Sequence, residues 1–207
     1  SDEVIAKANA AKEAINNAET LEAVENAESE GKTEIANQIA AEQLAAAKKA
    51  AKAAIDAVVP EGASDEVIAK ANAAKEAIDN AETIEAVENA KTEGETAIKD
   101  QIAAEKAAAA KEQATNMLNN ALQVAENLVG ILNDVGYTEL AETLNTAIEA
   151  ANAALNNAEA TAETLTTARE VLQTAVTEAY DAKMAADALA DAKATLQGAV
   201  DTAKAFY

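Results

Sequence analysis

Apolar side chains recur along this chain at alternating steps of three and four, the spacing that stacks them on one face of an α-helix. Val4, Ala8, Ala11 and Ile15 form one such stripe, and Val67, Ala71, Ala74 and Ile78 repeat it step for step. Breakers are few. The run Pro60-Glu61-Gly62-Ala63-Ser64 is the strongest, with Ser64 placed to cap the next helix and Asp65 and Glu66 in its first turn, where negative charge favours the helix dipole. This predicts a helix over 65–80. A weaker boundary follows at Asn80-Ala81-Glu82-Thr83, where Asn80 or Thr83 is a candidate cap.

Beyond Ile84 there is no further proline, and after Gly94 the next glycine is Gly130. The pattern predicts one helix over 83–133, about 75 Å long at roughly 1.5 Å per residue, and an equivalent helix over 20–59. Gly31 and Gly94 fall inside these helices at a cost of about 1 kcal/mol relative to Ala, so each is a candidate kink or break. Asn133-Asp134-Val135-Gly136-Tyr137-Thr138 reads as a turn, with Gly136 as C-cap and Thr138 as the next N-cap. A helix to about 156 then carries Leu140, Leu144, Ala147, Ala151 and Leu155 on one stripe. Thr161 is placed to cap a last helix whose seam runs from Leu165 and Leu172 through Ala186, Leu189, Leu196 and Val200 to Tyr207. That coiled-coil-like seam implies packing against neighbours along most of the helix.

The stripes belong to a duplication. Ser1 to Ile15 recurs letter for letter from Ser64 to Ile78, an offset of 63, and about 38 of 48 positions match as far as Lys48 and Lys111. Repetition at a fixed period marks an array of supersecondary units, and enzymes seldom duplicate an active site this way.

Composition narrows the function classes. The chain has no Cys, His or Trp and a single Pro, which removes disulfides, thiol nucleophiles, imidazole bases and Cys/His metal sites. Half of the residues are apolar, mostly Ala, and only 2 % are aromatic, so thin helical bundles fit better than one large core. A net charge of -21 disfavours nucleic acid and anionic membrane surfaces, both of which select clustered Lys and Arg. No stretch approaches the roughly 18 apolar residues of a membrane span. Residues 1–3 lack the basic and apolar regions of a secretory signal, so an exported chain is expected to draw its signal and anchor from outside this sequence.

Candidate chemistry is sparse. Glu139 and Glu142, or Asp187 and Asp191, lie one helical turn apart, but nothing around them suggests the apolar pocket that general acid catalysis requires. Asn133-Asp134-Val135-Gly136 is too short and too poor in carboxylates for a calcium loop. Lys48, Lys49 and Lys52 form the one basic cluster, expected to pair with acids one turn away. Tyr137 and Asn156, at the two turns of the last third, are the candidate ligand contacts; the ordinary expectation for Tyr137 is packing over a bundle end with its hydroxyl in water. No cofactor, metal or catalytic residue is expected.

Two resemblances organise these parts. The cadence Ala51-Lys52-Ala53-Ala54-Ile55-Asp56, the Pro60 turn, Ser64-Asp65-Glu66, Asn72-Ala73-Ala74-Lys75, Ala77-Ile78-Asp79-Asn80-Ala81 and Ala90-Lys91-Thr92-Glu93-Gly94 resembles the roughly 70-residue three-helix repeats of large Gram-positive cell-wall adhesins. Residues 122–180 are similar to FIVAR modules of bacterial surface proteins, through Tyr137-Thr138, Leu144, Ala147, Ala151, Leu155, Asn157, Ala160-Thr161, Leu172 and Ala175-Val176. Such modules often carry a Trp in the second helix; this chain has none, which weakens an aromatic carbohydrate contact. The resemblances imply an all-α, spectrin-like series of tandem three-helix bundles that share long continuous helices in an elongated rod. The implied phasing is a partial repeat over 1–40, a three-helix repeat over 41–106, a FIVAR-like module over 107–180 and a helix leading toward a next module over 181–207.

The expected role is that of a stalk in an extracellular, cell-wall-attached adhesin, holding a distal binding domain away from the wall. Its expected partners are neighbouring modules of the same chain, and the expected state is monomeric. The alternative is a FIVAR-like module that itself binds a host glycan or matrix protein, and a coiled-coil scaffold forming a stable oligomer is a third reading.

Overall fold

The computed structural model describes residues 1–205; Phe206 and Tyr207, the end of the expected last seam, lie outside the described residues. The described chain is helical throughout, with α1 Asp2–Asn16, α2 Leu21–Val58, α3 Asp65–Asn80, α4 Ile84–Asp134, α5 Thr138–Leu155 and α6 Ala162–Lys204.

Hydroxyl caps set most helix starts. The side chains of Ser1, Thr20, Ser64 and Thr83 accept from the backbone N–H of Val4, Ala23, Val67 and Ala86, each three residues on. Thr83 rather than Asn80 therefore starts α4. Thr161 and Thr164 exchange side-chain and backbone hydrogen bonds in a reciprocal box at the start of α6. One expected cap moves. Thr138 is the first residue of α5, and Tyr137 holds the N-cap position with no side-chain hydrogen bond. The reason lies in how α4 ends. Gly136 takes a φ of 86°, its N–H donates to Asn133 O, and Tyr137 N–H donates to Leu132 O at 2.8 Å. This Schellman turn uses Tyr137 for its closing bond and leaves one residue fewer between the helices.

Gly31 and Gly94 do not break their helices, since α2 and α4 run through them without interruption. They mark close helix contact instead. A β-carbon placed on Gly94 would overlap the Ala74 methyl, and one on Gly31 would overlap that of Ala11.

The chain divides into two compact units, Ser1–Ala104 and Glu105–Tyr207, with the division inside α4. In the first unit α1 lies antiparallel on the N-terminal part of α2, tied by Lys7 to Glu34 at 3.2 Å and by Ser1 to Glu42. No residue of α1 is buried. The core of this unit lies further along, where Ala51 and Ile55 of α2, Val67, Ala71, Ala74 and Ile78 of α3, and Val87 and Ile98 of α4 close on one another. Ile55, Ile78, Val87 and Ile98 are fully excluded from solvent, each burial contributing about 1.5–3 kcal/mol.

In the second unit the C-terminal part of α4 (Leu118, Leu122, Ala125, Leu132), α5 (Ala141, Leu144, Ile148, Ala151) and the first half of α6 (Leu165, Leu172, Ala179) share a core. No polar or charged residue is buried among the described residues of either unit. The last seam is covered only in part. Beyond Asp187 every described residue of α6 is exposed, so the expected packing along most of the helix stops after Ala186.

Candidate functional site

The second unit carries the features that most resemble a site. Its Schellman turn places Tyr137 at the junction of α4 and α5, where the ring packs against the core. The hydroxyl, expected in water, has a protein partner. It donates to Asp187 Oδ1 of α6 at 2.6 Å, while Lys183 Nζ reaches Asp187 Oδ2 at 2.7 Å. The carboxylate accepts from both sides, so Lys183 first and Tyr137 second hold its pKa below the usual carboxylate range. The same hydrogen bond, with burial and the charges of Asp187 and Asp191, pushes the Tyr137 phenol above its ordinary value. Asp187 is thus held ionised, the reverse of what a general acid needs.

Asn156 lies elsewhere. It caps α5 at its far end through its backbone N–H to Asn152 O, and its side chain is exposed. The 18 residues of α5, about 27 Å of helix, separate it from Tyr137. The two candidate contacts are not parts of one site.

The larger feature has no counterpart in the sequence analysis. Val124, Asn127, Leu128 and Ile131 of α4 and Val176, Thr177 and Tyr180 of α6 line an apolar groove of about 440 Å³. Val124, Ile131 and Tyr180 each keep more than half of their surface in solvent. The signal was present: Met117, Val124 and Ile131 recur at steps of seven, a second stripe beside the buried one. Arg169, the only arginine of the chain, lines an adjoining pocket with Met117 and Gln173, and its Nε has no hydrogen-bond partner.

The basic cluster also differs from expectation. Lys52 pairs with Asp79 of α3 at 2.7 Å and Lys48 donates to the Asp79 carbonyl at 2.8 Å, so both bind across to a neighbouring helix rather than one turn along their own. They meet the last turn of α3, where the helix dipole favours cations. Lys111, the duplicate of Lys48, likewise donates to Ala158 O just beyond α5. No cluster of three or more carboxylates able to hold a metal occurs among the described residues, and no described helix is long and apolar enough to cross a membrane.

Comparisons with protein-family models, with curated proteins and with solved structures return no match to this chain.

Proposed function

We propose that this chain is a mechanical spacer: tandem, spectrin-like three-helix bundles sharing continuous helices, drawn out as a rod within a cell-wall-attached adhesin. The observation that carries this reading is α4, which runs unbroken for 51 residues and supplies Val87 and Ile98 to one core and Leu118 to Leu132 to the other. A helix common to two cores transmits force without a flexible linker between them. The near-identical duplication, the acidic surface and the resemblance to adhesin repeats support the same role, with no catalytic step. Small-angle scattering at dilution tests it. A radius of gyration well above roughly 17 Å, the compact value for this length, is expected; a value near it removes the rod.

The groove between α4 and α6 favours a second reading, a FIVAR-like module that binds a ligand itself. Its lining is mainly aliphatic, through Val124, Leu128, Ile131 and Val176 beside Asn127, Thr177 and Tyr180, which suits an apolar segment of a matrix protein better than a glycan. Matrix-protein and glycan arrays probed with the full chain separate the two, and silence on both removes this reading.

A further inference from the structure

The composition of α4 changes abruptly along its length. Residues 84–112 carry eleven charged side chains, whereas residues 113–133 carry one, Glu126, among five Asn and two Gln. Asn is a poor helix former, and Lys or Glu would serve an exposed helical face better. Asn116, Asn119, Asn120 and Asn127 are nevertheless exposed there. The change coincides with the stretch that borders the α4–α6 groove. Met117, Asn120, Val124, Asn127 and Ile131 follow steps of three and four along its rim. That is the seam two helices bury against one another, with apolar side chains at one set of positions and Asn at the other.

Whatever covers this seam must approach a chain of net charge -21. A second copy carries the same charge, and an uncharged face is where two such chains meet at least electrostatic cost. Each group on the seam also complements its own kind: aliphatic side chains meet aliphatic ones, and an Asn amide both donates to and accepts from another. A two-fold contact demands this, because it presents the same patch from both sides. Asn120, Asn127 and Gln173 make no side-chain hydrogen bond among the described residues. Two charges mark the ends of the seam. Arg169 stands beside Met117, touching Glu170 at 3.7 Å and leaving its Nε unpaired. At the Ile131 end, Asp134 occupies the last turn of α4, where the helix dipole disfavours a carboxylate, and no cation meets it among the described residues.

We propose that two copies pair antiparallel through this seam about a two-fold axis near Val124, the α4 rim of each lying in the α4–α6 groove of the other. Met117 then meets Ile131 of the copy, Asn120 lies beside Asn127, and Arg169 reaches Asp134 at both ends. Antiparallel pairing overlaps 113–133 with itself and carries the charged 84–112 of each α4 away from the other; parallel pairing would set like charges side by side. The seam spans about 21 Å and two helices about 20 Å, a footprint of roughly 400 Å² per copy, about half that of a standard interface. Such a contact belongs with weak, transient ones, so the chain is monomeric with its groove open at micromolar concentration and pairs as it is concentrated. The pairing rests on neither reading above: a rod at dilution and binding of a matrix protein both survive its failure.

Sedimentation equilibrium of the full chain tests it, at about 0.15 M salt to screen the net charge and from roughly 10 µM to 1 mM, a range that covers weak interfaces. The average mass is expected to rise toward that of a dimer and no further. Val124→Lys, which puts two like charges on the axis, is expected to abolish the rise. Asp134→Lys should raise the apparent dissociation constant severalfold, and adding Arg169→Glu in the same chain should restore it. The chain has no Cys, so Val124→Cys supplies a lone thiol. Under mild oxidation it should give a disulfide-linked dimer far faster than Glu149→Cys on the exposed face of α5. A constant mass, a mass that passes the dimer, association that survives Val124→Lys, a double variant no tighter than Asp134→Lys alone, or equal cross-linking at positions 124 and 149 overturns the proposal.

Discussion

Gly94 of α4 faces Ala74 of α3 so closely that no β-carbon fits between them, and one placed on Gly94 would also lie 3.1 Å from Ile55 Cδ1. Helix propensity alone favours Ala at position 94 by about 1 kcal/mol. Packing opposes it: the nearest atom is an alanine methyl, which cannot swing away, so the backbones must part and Ile55 must move. Overpacking of this kind costs about 1–3 kcal/mol. Gly94→Ala is therefore expected to destabilise the first unit by about 1–2 kcal/mol, measured as lost hydrogen-exchange protection in α3. At Gly31 an added carbon meets Ala11 alone, on a hairpin with no third helix, so Gly31→Ala should cost less or stabilise. Equal costs at the two sites would contradict this account.

The duplication supplies a second internal control. Ile15 and Ile78 occupy the same place in identical fifteen-residue segments, yet Ile78 is fully buried and Ile15 is half-exposed. Truncating a buried isoleucine costs about 2–5 kcal/mol, because transfer and cavity terms add. Ile78→Ala should fall in that range and Ile15→Ala below about 1 kcal/mol. Urea unfolding of both variants decides it, and a similar loss in each would mean that the first hairpin is covered in solution.

This pair also shows where sequence ceases to be informative. The stripe through Val67 and Ile78, the Ser64 cap and the long helix through Gly94 were all legible, since each rests on chemistry local to a few turns. Burial was not, because identical letters at Ile15 and Ile78 acquire different environments from a third helix. The same limit applies to Lys48 and Lys52. Their spacing suggested partners one turn along, and only the crossing of α2 over the end of α3 brings Asp79 within reach. The hydroxyl of Tyr137 met Asp187, fifty residues away, for a similar reason. Gly94 misled in a different way: its conformational cost is visible in sequence, whereas the neighbour that requires it is not.

The Tyr137 and Asp187 pair makes a pH prediction. Asp187 has a lowered pKa in the folded chain, so its contribution is present above the ordinary carboxylate value and is lost as pH falls through the lowered one. Tyr137 has a raised pKa, so its contribution is present below the ordinary phenol value and is lost as pH rises through the raised one. Tyr137→Phe keeps the ring in the core, removes the phenol's effect and removes the Tyr137 share of the Asp187 effect while leaving that of Lys183. Its melting midpoint is expected to lie below that of the parent across neutral pH, with the gap narrowing below about pH 4 and above about pH 10. Ultraviolet titration of the parent should show a phenol ionising above the ordinary value that is absent from the variant. A gap that persists unchanged into acid would mean that Asp187 is not the group involved.

Exposure of the α4 and α6 groove makes the last prediction. Val124 and Ile131 are apolar side chains more than half in solvent, and neither belongs to the buried core. Replacing either by lysine removes no buried core side chain and leaves the charge at the solvent-facing side, so stability should change by no more than about 0.5 kcal/mol, as for ordinary surface positions. Leu128 lines the same groove but belongs to the core, so Leu128→Lys should unfold the second unit. An apolar fluorescent dye reports the groove directly: binding to the parent should be lost in Val124→Lys and Ile131→Lys while both keep the parent's helicity. If the two lysine variants melt well below the parent, these residues are packed in solution and the groove is closed.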